Sequence, residues 1–124
     1  MIKGIGTDLV SIKRIEKALK KHGARFAERI LGASEYQAFL EHPRSANFLA
    51  KSFATKEAVV KAFGTGFTNG ISWQDIQLEH LPTGQPTVGL SGKALDRYKA
   101  MGCEQILLSL SDDEGFVTAF VIVE

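Results

Sequence analysis

The order of apolar and polar positions divides the chain into an early helical part and a late strand-rich part. Residues 2–7 read as a short strand, with Gly4 and Gly6 where another backbone comes close. Asp8-Leu9-Val10 leads out of it, and Ser11 is placed to cap a helix reaching about Lys21. Ile12, Ile15 and Leu19 make its apolar stripe, Lys13, Arg14, Lys17, Lys20 and Lys21 crowd the rest, and Gly23 ends it. A short helix over 24–31 buries Phe26 and Ile30 and exposes Arg25 and Arg29. Ser34-Glu35-Tyr36-Gln37 matches a capping box, so a third helix starts there, buries Phe39 and Leu40, and is closed by Pro43.

The central helix is expected from about Ala46 to Phe63. Phe48, Leu49, Phe53, Val60 and Phe63 supply apolar surface, and Ala50, Ala54, Ala58 and Ala62 allow close packing. Gly64 and Gly66 stop it, leaving Thr65 between them where backbone N–H groups and a hydroxyl could face a ligand. Beyond this point the period shortens. Asp75–Leu81 and Thr87–Leu90 read as strands around the turn Pro82-Thr83-Gly84-Gln85-Pro86. Ser91 opens a helix carrying Ala94, Leu95, Tyr98 and Met101, with Gly102 after it. Gln105–Ser111 and Phe116–Val123 flank Asp112-Asp113-Glu114-Gly115, a hairpin signal. The expectation is an α+β fold, with a largely antiparallel sheet packed on a long central helix.

Composition changes this picture only in part. At 124 residues the chain is one domain, 1–124, of ordinary globular make-up. No apolar run approaches the roughly 18 residues of a membrane helix, and Lys3, Asp8, Lys13 and Arg14 interrupt any secretory core near the N-terminus. Cys103 is alone, which excludes a disulfide framework or thiolate metal cluster and fits a reducing cytoplasm. The net charge of +1 conceals an asymmetry: residues 1–30 hold eight Lys/Arg against three Asp/Glu. One basic face for an acidic partner follows, or else a merely solvated amphipathic helix. Nucleic acid is disfavoured, because no aromatic residues interleave the basic ones and the pI is only about 7.9. His22, His42 and His80 show no metal spacing.

The candidate chemistry lies in Glu57, Lys61 and Asp8. Glu57 and Lys61 are four apart on the central helix and point the same way. Alone they would make an exposed ion pair, and Asp8 alone a turn or helix cap. A charged pair on a packed helix is costly without a task, however. Two carboxylates and an ammonium suit Mg²⁺ bound to a pyrophosphate.

Gly4-Ile5-Gly6-Thr7-Asp8 followed by Phe53-Ala54-Thr55-Lys56-Glu57-Ala58-Val59-Val60-Lys61-Ala62-Phe63-Gly64-Thr65-Gly66 resembles the holo-acyl-carrier-protein synthases, the small phosphopantetheinyl transferases. The resemblance extends to Arg25–Leu31 and the closing strands. It implies the phosphopantetheinyl transferase fold and Mg²⁺-dependent transfer of 4′-phosphopantetheine from coenzyme A to a serine of an apo acyl carrier protein. Adenosine 3′,5′-bisphosphate would be the other product, in the service of fatty acid biosynthesis. On this resemblance Asp8 and Glu57 hold the metal, and Lys61 sits by the reacting phosphate. Gly64, Thr65, Gly66, Gly84, Pro86 and Ser109 belong to the coenzyme site, and Arg14, Arg25 and Arg29 dock the carrier's acidic helix. The serine's proton would go to Glu57 or to a metal-bound water.

The family is also typically a cytoplasmic homotrimer with active sites at subunit contacts, and 124 residues are too few to contain two copies of the fold. Three positions depart from its pattern. Ser52 stands where many relatives have Arg, with Arg44, Lys51 or Lys56 as possible substitutes. Gln85 replaces the usual Lys of a turn near the adenine, and Asp112 a His of some relatives, where an Asp does not suit a 3′-phosphate. A carrier-binding module without turnover is the rival reading. Retention of Asp8, Glu57 and Lys61 together argues against it, since docking needs none of them.

Overall fold

In the computed structural model, which describes residues 1–124, the long helix lies against a three-stranded sheet and the other helices gather around it. The order is β1 (Gly4–Ser11), α1 (Ile12–His22), α2 (Ala24–Ile30), α3 (Ala33–Glu41), α4 (Ser45–Phe63), a 3₁₀ turn (Trp73–Asp75), β2 (Ile76–His80), β3 (Pro86–Leu90), α5 (Gly92–Ala100), β4 (Ile106–Asp113) and β5 (Phe116–Val123). One antiparallel sheet has the order β1-β5-β4, and β2 and β3 form a separate antiparallel pair. The α+β expectation therefore holds, with two sheets where one was expected.

Strand β5 is central, paired with β1 on one side and β4 on the other, and its alternation is the cleanest. Val117, Ala119, Val121 and Val123 are buried, while Phe116 and Phe120 face outward. The inner row meets α4, whose Leu49, Ala50, Ala54, Ala58, Val59 and Val60 are wholly buried. Burying one such large aliphatic side chain contributes about 1.5–3 kcal/mol.

Small residues set how closely β1 and α4 approach. A Cβ on Gly4 would run into the Ala62 carbonyl oxygen, and one on Gly6 into that of Ala58. The close approach expected at these glycines is thus made by the helix bearing Glu57 and Lys61. The strand itself is longer than expected. It continues to Ser11, with Asp8 opposite Ala119 in the middle of the ladder, because Leu9 and Val10 keep pairing with Thr118 and Val117.

Several helix ends follow the sequence. The Ser11 hydroxyl accepts from the Arg14 N–H, Gly23 (φ 62°) ends α1, and Gly64 (φ 72°) ends α4 in the left-handed region. Other ends correct it. Helix α3 begins on Gly32 rather than Ser34, and Glu35 reaches back to the Gly32 N–H at 3.0 Å. The box expected from Ser34 and Gln37 is not formed, and Glu35 serves instead as the N3 residue of a frame that starts two residues earlier. Phe39 is buried as expected and Leu40 is exposed, since α3 turns only one stripe inward. Ser91 precedes α5 without a side-chain cap, its hydroxyl lying instead 3.5 Å from the Asp75 carbonyl. The last hairpin turns on Glu114 and Gly115 alone, both at positive φ, as a two-residue turn between twisted strands requires.

Candidate active site

Asp8 points from the inner face of β1 towards the α4 turn that carries Glu57. Both side chains line one groove of about 450 Å³, together with Arg14, Ile15, Phe26 and Phe53 among others. The structure thus brings the two acids, from distant parts of the chain, onto one groove within a single chain. Lys61, one turn beyond Glu57, donates to Asp8 Oδ1 at 3.1 Å and to the Thr7 carbonyl at 3.0 Å. Asp8 Oδ2 is buried and has no hydrogen-bond partner. Burial pushes the Glu57 carboxyl above its ordinary range and the Asp8 carboxylate pushes it further, with Lys61 opposing.

A buried carboxylate oxygen without a donor, beside a second carboxylate that resists ionisation, calls for a cation. The donors are hard oxygens from two residues only, which suits Mg²⁺ with substrate oxygens and water completing its shell. Lys61 already compensates Asp8 Oδ1, and Oδ2 is the oxygen that such an ion would use. On the other side of Asp8, a second cavity of about 680 Å³ is lined by Thr7, Leu9, Lys61, Thr118 and Phe120 among others, and so reaches the outer face of the sheet.

The remaining expected residues are more dispersed. Arg14 borders the groove, while Arg25, Phe26 and Arg29 border a small hollow beside it. Gly84 and Pro86 stand at the β2–β3 turn and Ser109 on the outward row of β4, and none of them lines either cavity beside Asp8. Gly64-Thr65-Gly66 is more occupied than expected. The N–H groups of Thr65 and Gly66 both donate to the Val60 carbonyl at 3.2 Å, and the Thr65 hydroxyl donates to the Gly66 carbonyl. The two N–H groups thus finish the helix end.

Lys56 does not stand in for the cation absent at Ser52. It is fully buried, donating to Glu35 Oε1 at 2.7 Å, the Ile30 carbonyl at 2.6 Å and the Trp73 carbonyl at 3.1 Å. Lys51 forms an exposed ion pair with Asp112 at 3.2 Å, and Ser52 is buried with its hydroxyl unpartnered. Phe26 and Phe53 are the site residues that sequence reasoning missed. Their helical spacing reads as core, and only the packing shows them on a groove wall.

A small α+β domain that joins a half-buried acid pair and a lysine at one strand–helix junction fits the class of phosphate-handling transferases. The pattern that defines the 4′-phosphopantetheinyl transferase superfamily matches residues 4–121, and the chain belongs to that family. It is 47% identical over 123 residues to the holo-[acyl-carrier-protein] synthase of Halorhodospira halophila, covering 99% of this chain and 98% of that one. It is 45% identical to the Vibrio vulnificus protein of the same name, again over 99% and 98% of the two chains. The fold superposes on the crystal structure of holo-[acyl-carrier-protein] synthase from Neisseria meningitidis with a TM-score of 0.92, 44% identity and coverage of 100% and 99%. The Helicobacter pylori enzyme, solved in complex with coenzyme A, matches with a TM-score of 0.83, 35% identity and coverage of 97% and 99%. The transferase fold expected from the sequence is the fold observed.

Proposed function

We propose that this chain, as one transferase domain over residues 1–124, moves the 4′-phosphopantetheine of coenzyme A onto a serine of an apo acyl carrier protein. The observation that carries this reading is that Asp8 and Glu57 line one groove, with Asp8 Oδ2 buried and unpartnered while Lys61 holds the other oxygen. In the reaction the serine oxygen bonds to the phosphorus bearing the pantetheine arm. The bond from that phosphorus to the bridging oxygen breaks, and adenosine 3′,5′-bisphosphate leaves with the electron pair. Asp8 and Glu57 would hold Mg²⁺, which when bound neutralises charge on the pyrophosphate and its leaving group.

The protein's own groups do the rest. Lys61, anchored on Asp8 and Thr7, places a cation beside Asp8 on the second cavity without needing to reorganise. Glu57, or a water on the metal, would take the serine proton. Arg14 at the groove, with Arg25 and Arg29 beside it, offers cations to an acidic helix, and Phe26 and Phe53 offer its apolar side a wall. This pairing of apolar wall and cationic rim suits an amphipathic acidic partner.

The assembly belongs to the same proposal. Ile5, Leu9, Leu107, Phe116 and Phe120 are 40–64% exposed and stand on the outward rows of the β1-β5-β4 sheet. An apolar face of this kind marks an interaction surface. A homotrimer closed through it would bury these side chains and set a neighbouring copy against the Lys61–Phe120 cavity, so the coenzyme site would be shared between subunits. No helix is long and apolar enough to cross a membrane, and we place the enzyme in the cytoplasm, in fatty acid biosynthesis.

The direct test is mass spectrometry of an apo carrier protein incubated with the chain, coenzyme A and Mg²⁺. The carrier should gain the mass of one phosphopantetheine group, and EDTA should prevent the gain. A carrier that binds but never gains mass, across several carriers, would leave only a docking module.

A further inference from the structure

Helix α2 presents Arg25, Phe26 and Arg29, yet it is poorly equipped to stand alone. It has seven residues and begins on Gly23 with no side-chain cap. A helix so short is unstable in isolation. Its other end is held from outside. Gln74 Nε2 donates to the Glu28 carbonyl at 3.1 Å and to the Arg29 carbonyl at 2.7 Å. Lys56 Nζ donates to the Ile30 carbonyl at 2.6 Å. The last three carbonyls of α2 thus all receive donors from other elements, at the end where the helix dipole favours them.

The two donors are themselves joined. Lys56 also donates to the carbonyl of Trp73, the residue before Gln74. Trp73 stacks on Phe53 at 5.1 Å and on Phe67 at 3.9 Å between ring centroids, and Phe53 walls the groove. Glu35 fixes the lysine and accepts from the Gly32 N–H just beyond α2. Lys56 precedes Glu57 in the chain, and Phe26 faces the groove that Glu57 lines. A continuous run of hydrogen bonds and stacked rings therefore links the metal-site helix to the basic helix.

We propose that Gln74 and Lys56 are positioning residues that set where α2 stands relative to Asp8 and Glu57, and so govern engagement of the carrier protein but not of coenzyme A. This rests on the reading that α2 docks the carrier. Gln74 acts through the carbonyls of α2 and touches neither substrate.

Gln74 is exposed, so its replacement should leave the core intact. Gln74→Glu keeps the shape and removes the donor. Its KM for apo carrier protein should rise about fivefold, the scale of a lost helix cap, with KM for coenzyme A unchanged. Gln74→Lys, which restores a donor, should recover most of the loss. Combined with Arg29→Ala, the rise should be smaller than the product of the two single effects, since both act through one helix. A rise in both KM values together would mean general loosening and would overturn the proposal. So would an unchanged carrier KM in Gln74→Glu while Arg29→Ala raises it, which spares the docking reading. If neither Arg25→Ala nor Arg29→Ala alters the carrier KM, the docking role of α2 falls and the positioning role falls with it.

Discussion

Glu57 is the residue whose chemistry is set most visibly by its surroundings. Burial and Asp8 raise its pKa above 4.5, so the folded state favours its protonated form. Its contribution to stability is full below 4.5 and is lost as pH rises through the elevated folded value. In metal-free protein, Glu57→Gln should therefore become the more stable of the two as pH rises to neutral, while transfer activity is abolished. Mg²⁺ should raise the Tm of the wild type and leave that of Glu57→Gln unmoved. Thermal melts at several pH values, with and without Mg²⁺, check both statements, and a Tm difference flat in pH would mean that burial is not the cause.

Lys56, next to it, illustrates the opposite use of charge. Burial pulls its pKa below the ordinary lysine value, with Glu35 opposing. Lys56→Met would leave the Glu35 carboxylate uncompensated and should cost about 3–5 kcal/mol in urea unfolding. The double change Lys56→Met/Glu35→Leu should recover much of that loss, because an apolar pair can fill a space that a lone charge cannot.

Among the elements, the approach of β1 to α4 decides whether a site exists. Asp8 is delivered by the strand and Glu57 by the helix, and Gly6 lets the strand lie against the Ala58 carbonyl. Gly6→Ala should push the strand outward, unfold or strongly destabilise the chain, and weaken Mg²⁺ binding in whatever folds. Far-UV circular dichroism with a Mg²⁺ titration distinguishes the two losses. This approach was partly legible, since glycines in a strand signal a close neighbour. Which helix supplied the neighbour was not, because nothing local in Gly4-Ile5-Gly6 names a partner 50 residues away. The strand's extension to Ser11 was hidden for a related reason. Asp8 reads as a terminator locally, and pairing with β5 overrides it.

At the scale of the whole molecule, the outward sheet face gathers exposed apolar side chains. Phe120 stands on it, 41% exposed, and also borders the cavity beside Lys61. Phe120→Asp should break a trimer into monomers with little change in the monomer's own core. Sedimentation velocity should show the smaller species, and transfer activity should fall with it if the coenzyme site is shared. A trimer that survives the substitution would move the contact elsewhere.

The sequence by itself determined the helix and strand types, the basic first quarter, and the trio Asp8, Glu57 and Lys61. Helical period, strand alternation and glycine stops act over a few residues, and the long motif around Glu57 is specific. Only the tertiary structure decided that Lys56 is a buried hub and not a surface cation. It also showed that the N–H groups of Thr65 and Gly66 are spent on capping, and that Phe26 and Phe53 wall the site. Those roles depend on which carbonyl, carboxylate or ring arrives from a distant segment, and that is a property of packing in three dimensions that no local pattern encodes.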